Sequence, residues 1–365
     1  MEAYILLLIF IYFSYFLLHS SYNSEKANAR FLKVSFVAIF LLCALRDYTV
    51  GRDIPGYIEF YELSSDYKLW DASWVYMESG YVAYMKLLSM TGLSSRMFLA
   101  ITYLIMFAPV YYSIKRYSSD PLLSVIIFVC FQFFTFDLSG IRQGLATSIC
   151  LCGLPWIISE RKIDVVKFVP IVILAMLFHK SSVIFLMVPL LVKLKYNTKN
   201  IIIMLIGIAV APFLTEYVMA INTENHLSKY EMNENLKMFG TILFLSAIVI
   251  FMLFSCKQKS RTTKAINEKI TSVSLEQNTM LLIMSLIVSL AFNGTMLSRS
   301  SMFYTIFMVF GIPNAISVHG ESERKLYRTG FHFAMLAFYY LFYLEPKVLN
   351  IVPYKLGHDL LKFWM

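Results

Sequence analysis

Apolar runs, mostly of roughly 15–20 residues, recur along the whole chain with short polar connections between them. At about 1.5 Å of rise per residue, that is the length an α-helix needs to cross a hydrocarbon core of about 30 Å. Period-two alternation is weak, and the ~10-residue dyad segments of a transmembrane barrel are not seen. The pattern predicts an all-α polytopic membrane protein of about twelve transmembrane helices. They fall near residues 3–18, 31–45, 97–114, 121–136, 141–158, 165–178, 181–192, 200–219, 238–256, 278–295, 300–318 and 330–344. Residues 3–18 lack a basic flank and a small-residue cleavage site, so they read as a span rather than a signal peptide. Residues 1–365 form one integral membrane domain in this reading.

Composition agrees. The chain is 58% hydrophobic and 15% charged, against about 45–50% and about 25% in soluble domains. Cys43, Cys130, Cys150, Cys152 and Cys256 lie in or beside apolar segments without metal-ligand or redox spacing, and read as small core residues.

Net charge is +9, which in a soluble protein would point to nucleic acid. Its distribution points elsewhere. The odd-numbered connections (20–30, 115–120, 159–164, 193–199, 257–277, 319–329) and their flanks hold 19 of the 32 Lys and Arg but only 8 of the 23 Asp and Glu. By the positive-inside rule the odd side is cytoplasmic and both termini lie outside. The charge is a topology signal, and no nucleic-acid partner is expected.

Two even-side loops are long. Residues 46–96 carry Trp70, Trp74, Tyr76, Tyr81 and Tyr84, read first as interfacial anchors, with a possible interfacial helix over 74–90. Residues 220–237 are polar and either cap a site or form a solvated loop. The segments 165–178 and 181–192 reach only about 21 and 18 Å. Their turn, Phe178-His179-Lys180-Ser181-Ser182, is therefore expected below the outer surface. Polar backbone at that depth needs protein or water around it, which implies an outward-facing wet cavity.

Several even-side cations sit at helix ends or in tight turns: Arg46, Arg52, Arg142 (followed by Gln143 and Gly144), Lys180 and Arg299. Any one of them alone reads equally well as a snorkelling side chain. Together they read as a pyrophosphate site, since Arg matches phosphate in bidentate fashion, Lys offers a point charge and helix N-termini add amide donors. Asp53, Glu78 and His179 are the acid–base candidates, with salt-bridge pairing as the competing role for the carboxylates. Residues alone leave Asp53 and His179 equal. No P-loop, nucleophile elbow, HExxH or DxD pair occurs, so a sugar donor would arrive on a lipid carrier, with no cofactor and no metal.

The order of short motifs carries a resemblance. Arg46-Asp47, Val50-Gly51-x-Asp53, Tyr57, Tyr61, Glu78-x-Gly80-Tyr81, Ile141-Arg142-Gln143-Gly144 and Phe178-His179-Lys180-Ser181 resemble the EpsG family, among the Wzy-type O-antigen and exopolysaccharide polymerases. The resemblance implies a GT-C-like glycosyltransferase of the bacterial inner (plasma) membrane. Such an enzyme transfers a growing glycan from undecaprenyl pyrophosphate to a new lipid-linked repeat unit, its active site facing the periplasm. Membrane lipids and a chain-length regulator are the other implied partners. Asp53, His179 and Glu78 then become catalytic candidates, and Arg46, Arg52, Tyr57, Arg142, Gln143, Lys180 and Arg299 substrate-binding ones. The alternatives are an O-antigen ligase, for which the 220–237 loop is short, and a lipid-linked oligosaccharide flippase or exporter, for which the cations lie too close to one side.

Overall fold

The computed structural model describes residues 1–22, 24–64, 77–158, 162–221, 232–262, 274–292, 296–344 and 348–357. Among them the chain is helical, without a strand. In order come α1 (Glu2–Ser21), α2 (Ser24–Ala44), α3 (Ile54–Leu63), α4 (Ser79–Ser89), α5 (Ser95–Tyr117), α6 (Pro121–Cys130), α7 (Phe133–Asp137), α8 (Ile141–Cys152), α9 (Leu154–Ile158) and α10 (Lys162–Met176). A 3-10 helix, Lys180–Met187, leads into α11 (Val188–Leu191). Then follow α12 (Thr198–Ile221), α13 (Met232–Thr262) and α14 (Leu275–Ala291). A second 3-10 helix, Met296–Ser301, precedes α15 (Met302–Thr305), α16 (Met308–Ser317) and α17 (Glu321–Tyr339).

Local chemistry sets several boundaries. Ser94 accepts the Met97 amide at the start of α5, and Asp120 accepts that of Leu123 ahead of Pro121 in α6. Ser274 and Gln277 form a reciprocal capping box on α14. Each satisfies amides that a helix start leaves unpaired.

Four described helices are long and apolar enough to cross a membrane: α1, α2, α5 and the segment Phe239–Lys259 of α13. The bent pair Arg299–Thr305 and Met308–Ser317 makes a fifth if it counts as one span. Several of the remaining expected spans are shorter apolar helices. The expected helix 121–136 is broken after Cys130, where Phe131 turns extended. The expected helix 141–158 stops at Cys152 and restarts at Leu154; Pro155, in the first turn of α9, has no amide to continue the ladder.

Two packed groups result. The first runs α1–α2–α5–α8–α10, and the second gathers α12, α13 and α16 around α14. α6 lies between them, against α2, α16 and α17. Every side chain from Leu122 to Cys130 is buried, as expected of a helix apolar on all sides at the centre of a bundle. By contrast Leu6, Ile9, Phe13 and Phe16 of α1 are exposed, an apolar face suited to lipid rather than water.

In the long 46–96 loop, the described residues 46–64 and 77–96 hold α3 and α4. α3 was not expected there. The expected interfacial helix begins only at Ser79, and Trp70, Trp74 and Tyr76 lie outside the described residues. Tyr81 is fully buried, and Tyr84 packs on Phe98 and Phe178 while bonding Thr102. These two tyrosines are core residues rather than surface anchors, because α4 turns its aromatic face onto α3 and α5. Of the 220–237 loop, residues 222–231 lie outside the described residues.

Candidate active site

The elements around residues 51–57, 136–143, 179–181 and 299 meet at one cavity of about 500 Å³. Seven of the ten site residues expected from sequence line it: Arg52, Asp53, Tyr57, Arg142, Gln143, His179 and Arg299. They come from four even-side connections that are far apart in the chain.

Arg142 stands in the first turn of α8, half-buried. Its Nη1 donates to Glu78 Oε2 at 2.5 Å and its Nε to the Tyr57 hydroxyl at 3.1 Å. Its guanidinium carbon lies 5.8 Å from the Tyr57 ring centre. Next to it, Gln143 Nε2 donates to the Arg299 carbonyl at 2.7 Å, tying α8 to the second 3-10 helix. Arg299 rests over the Phe136 ring at 5.5 Å.

Glu78 sits behind Arg142, with its side chain only 9% exposed. Its Oε1 accepts the Lys180 backbone amide at 3.1 Å and stands 3.3 Å from His179 Nδ1. Burial works against its charge, but the His179 contact, the Arg142 charge and the backbone amides outweigh it and hold the Glu78 pKa at about 2. The sequence explains the placement. Gly80 lets α4 approach the end of α10, where the Tyr81 amide donates to the Leu177 carbonyl at 3.1 Å. A β-carbon at Gly80 would stand 2.5 Å from Leu177 Cβ and 2.7 Å from its carbonyl oxygen.

Asp53 precedes α3 and is paired with Ser139. The Ser139 hydroxyl donates to Asp53 Oδ2 at 3.0 Å, and its oxygen accepts the Asp53 amide at 3.1 Å. Gly51, at φ 103°, packs so closely on the Leu138 carbonyl that a side chain would overlap it. The 51–53 turn and the 138–140 turn are thereby locked together.

Two expected substrate contacts are placed elsewhere. Arg46 is fully buried and donates to the Leu138 carbonyl at 2.5 Å and to the Tyr103 hydroxyl. It braces the floor of the site from behind, because the α2 end is covered by α5 and the 138–140 turn. Lys180 offers its backbone amide to Glu78, while the residue itself is exposed and does not line the cavity.

Sequence reasoning missed Ser139, Tyr103, Phe136 and Asp137. Tyr103 links Arg46 to the Asp137 carbonyl. The buried Asp137 carboxyl lies against Gly144, which leaves it room. The small residues around Arg142 were the available signal; the partners are remote in sequence.

Compared with known families, the chain matches the model of the EpsG family over residues 29–356. No curated protein and no solved structure gives a match.

Proposed function

The chain belongs to the EpsG family, and from that premise we propose that it polymerises a polysaccharide at a membrane as a glycosyltransferase of GT-C type. The donor is a glycan on polyprenyl pyrophosphate, the undecaprenyl carrier of bacteria. The acceptor is a new lipid-linked repeat unit, and transfer occurs at the periplasmic face of the inner membrane. One observation carries the reading. Three arginines from three separate connections, Arg52, Arg142 and Arg299, line one cavity with two groups able to accept a proton, Asp53 and His179.

In the proposed step an acceptor hydroxyl attacks the anomeric carbon of the donor. The bond from that carbon to the pyrophosphate oxygen breaks, and polyprenyl pyrophosphate leaves as an anion. The arginines neutralise the charge growing on the leaving group, the large catalytic effect in such chemistry. Arg142 is the best positioned, because Glu78 and Tyr57 hold its guanidinium in one orientation. Glu78, engaged on both oxygens and held ionised, serves as orienter rather than base.

The proton of the acceptor goes to His179 or Asp53. His179 carries its Nδ1 3.3 Å from Glu78 Oε1, a contact that needs only a small closure on substrate binding for the carboxylate to orient the ring. Asp53 has one oxygen committed to Ser139. The geometry therefore favours His179.

Deletion of the gene should leave surface glycan of single repeats instead of a ladder on a polysaccharide gel. Arg142→Ala should reproduce that pattern at normal protein level, with a loss of at least ~100-fold in chain extension. Arg142→Lys should recover little, since a single ammonium replaces a fork held at two points. A full ladder from Arg142→Ala would refute the assignment, and absence of all surface repeats in the deletion strain would favour transport.

A further inference from the structure

The turn bearing Arg52 and Asp53 is held by a segment that the proposed chemistry does not use. Residues 349–357 run beneath it. The Arg52 amide donates to the Leu349 carbonyl at 2.8 Å and the Gly51 amide to the Asn350 carbonyl at 3.0 Å. Farther along, the Asp47 amide donates to the Lys355 carbonyl at 2.8 Å and the Gly357 amide to the Leu45 carbonyl at 2.9 Å, around a bridge between Arg46 and Leu356. The segment is itself anchored. Tyr4 of α1 donates to the Ile351 carbonyl at 2.7 Å, and the Tyr354 hydroxyl to the Leu42 carbonyl of α2 at 2.9 Å.

At the point of contact the backbone is strained. Leu349 and Asn350 have φ of 64° and 53°, both left-handed. Asn tolerates that region, but a leucine there is uncommon and persists only where its surroundings enforce it. Those two residues supply the two carbonyls that meet Gly51 and Arg52. A regular backbone at 349 and 350 would turn these carbonyls away.

We propose that residues 349–357 act as a positioning strap for the candidate site: the left-handed pair Leu349-Asn350 fixes the Gly51-Arg52 backbone and so aims Arg52 and Asp53 into the cavity. This rests on the reading of the cavity as the place of glycan transfer. The strap touches no substrate. It converts the packing of α1 and α2 into the orientation of a cation and a carboxylate, and with Ser139 it holds that turn from two sides. Fixing a charged group before substrate arrives is worth much in catalysis, because a shift of about 1 Å is enough to lose a large part of the rate.

Position 350 allows a clean test, since Asn350 is exposed and changes there remove little packing. Asn350→Gly keeps the left-handed backbone available, whereas Asn350→Val disfavours it strongly and Asn350→Pro forbids it. Polymer yield and mean chain length are read on a polysaccharide gel, with folded protein followed by thermal unfolding in detergent. Asn350→Gly should stay within about twofold of wild type. Asn350→Val should lose at least about fivefold in chain extension at equal folded protein, and Asn350→Pro more. Equal ladders from the Gly and Val variants would overturn the strap, as would a loss that only tracks loss of folded protein. Arg142→Ala, run alongside, separates the two failures: an unaffected Arg142→Ala removes the premise, whereas an inactive Arg142→Ala with a fully active Asn350→Val removes the strap alone.

Discussion

Glu78 is held at both of its carboxylate oxygens beside the cavity. It is nearly buried, faces Arg142 and His179, and accepts a backbone amide. Its pKa is held at about 2, below the ordinary 4.5. For a carboxylate depressed in the folded state, the stabilisation is complete above the ordinary value and is lost as pH falls through the folded one. Glu78 therefore stays charged between pH 5 and 8. Glu78→Gln should cost about 1–3 kcal/mol, since it leaves Arg142 half-buried without its countercharge. The gap in thermal midpoint between wild type and Glu78→Gln should not narrow from pH 8 down to pH 5, measured in detergent at several pH values. A gap that closes within that window would mean that Glu78 titrates there and would restore it as a candidate base. The same reasoning accounts for Arg46. Nothing in its sequence neighbourhood separates a substrate-facing arginine from one donating to Leu138 and Tyr103. Burial is decided by what α5 places over it, and α5 begins roughly 50 residues later.

At the level of elements, α4 acts as the carrier of Glu78, and Gly80 sets its distance from α10. Gly80→Ala should push α4 off the Leu177 carbonyl and carry Glu78 away from His179, with loss of at least ~10-fold in polymer extension. Gly330→Ala, in α17 with open space where its β-carbon would go, should leave extension unchanged and raise stability by up to about 1 kcal/mol. Gel ladders and unfolding curves for the two variants check this; equal effects would show that the close approach at Gly80 is immaterial. Much of this level was legible in the sequence. Hydrophobic runs located the helices that build the bundle but not α3, and the short pair 165–178 and 181–192 appears as α10 and the 3-10 helix Lys180–Met187, with His179 at the turn lining a cavity. The breaks were less legible. Pro155 gives a local reason for one of them, whereas the end of α6 at Phe131 has no local breaker: its sequence continues apolar, and tertiary packing overrides propensity. The strap at 349–357 was invisible, because backbone hydrogen bonds between distant segments leave no mark on residue type.

For the molecule as a whole, the separation of charge between the two sets of connections makes a claim that packing alone does not. Arg52, Asp53, Arg142, His179 and Arg299 all come from even-side connections and meet at one cavity, as a shared face requires. The Lys and Arg excess lies on the odd side, so the cavity should open away from the cytoplasm. A polymerase drawing on lipid-linked repeats already moved across the membrane needs that orientation. Cysteine labelling in whole cells tests it. Cys152 is exposed and the other four cysteines are buried, so Cys152→Ser provides a quiet background. Thr91→Cys, exposed in the even-side connection between α4 and α5, should react with a membrane-impermeant thiol reagent in intact cells. Lys325→Cys, on the odd side with its native side chain 75% exposed, should react only after the membrane is opened. The reverse pattern would turn the cavity toward the cytoplasm, where lipid-linked units are built, and the case for polymerisation outside would fall even if Arg142 proved essential. The two measurements are thus independent: Arg142→Ala asks whether the cavity does the chemistry, and the labelling asks on which side of the membrane that chemistry takes place.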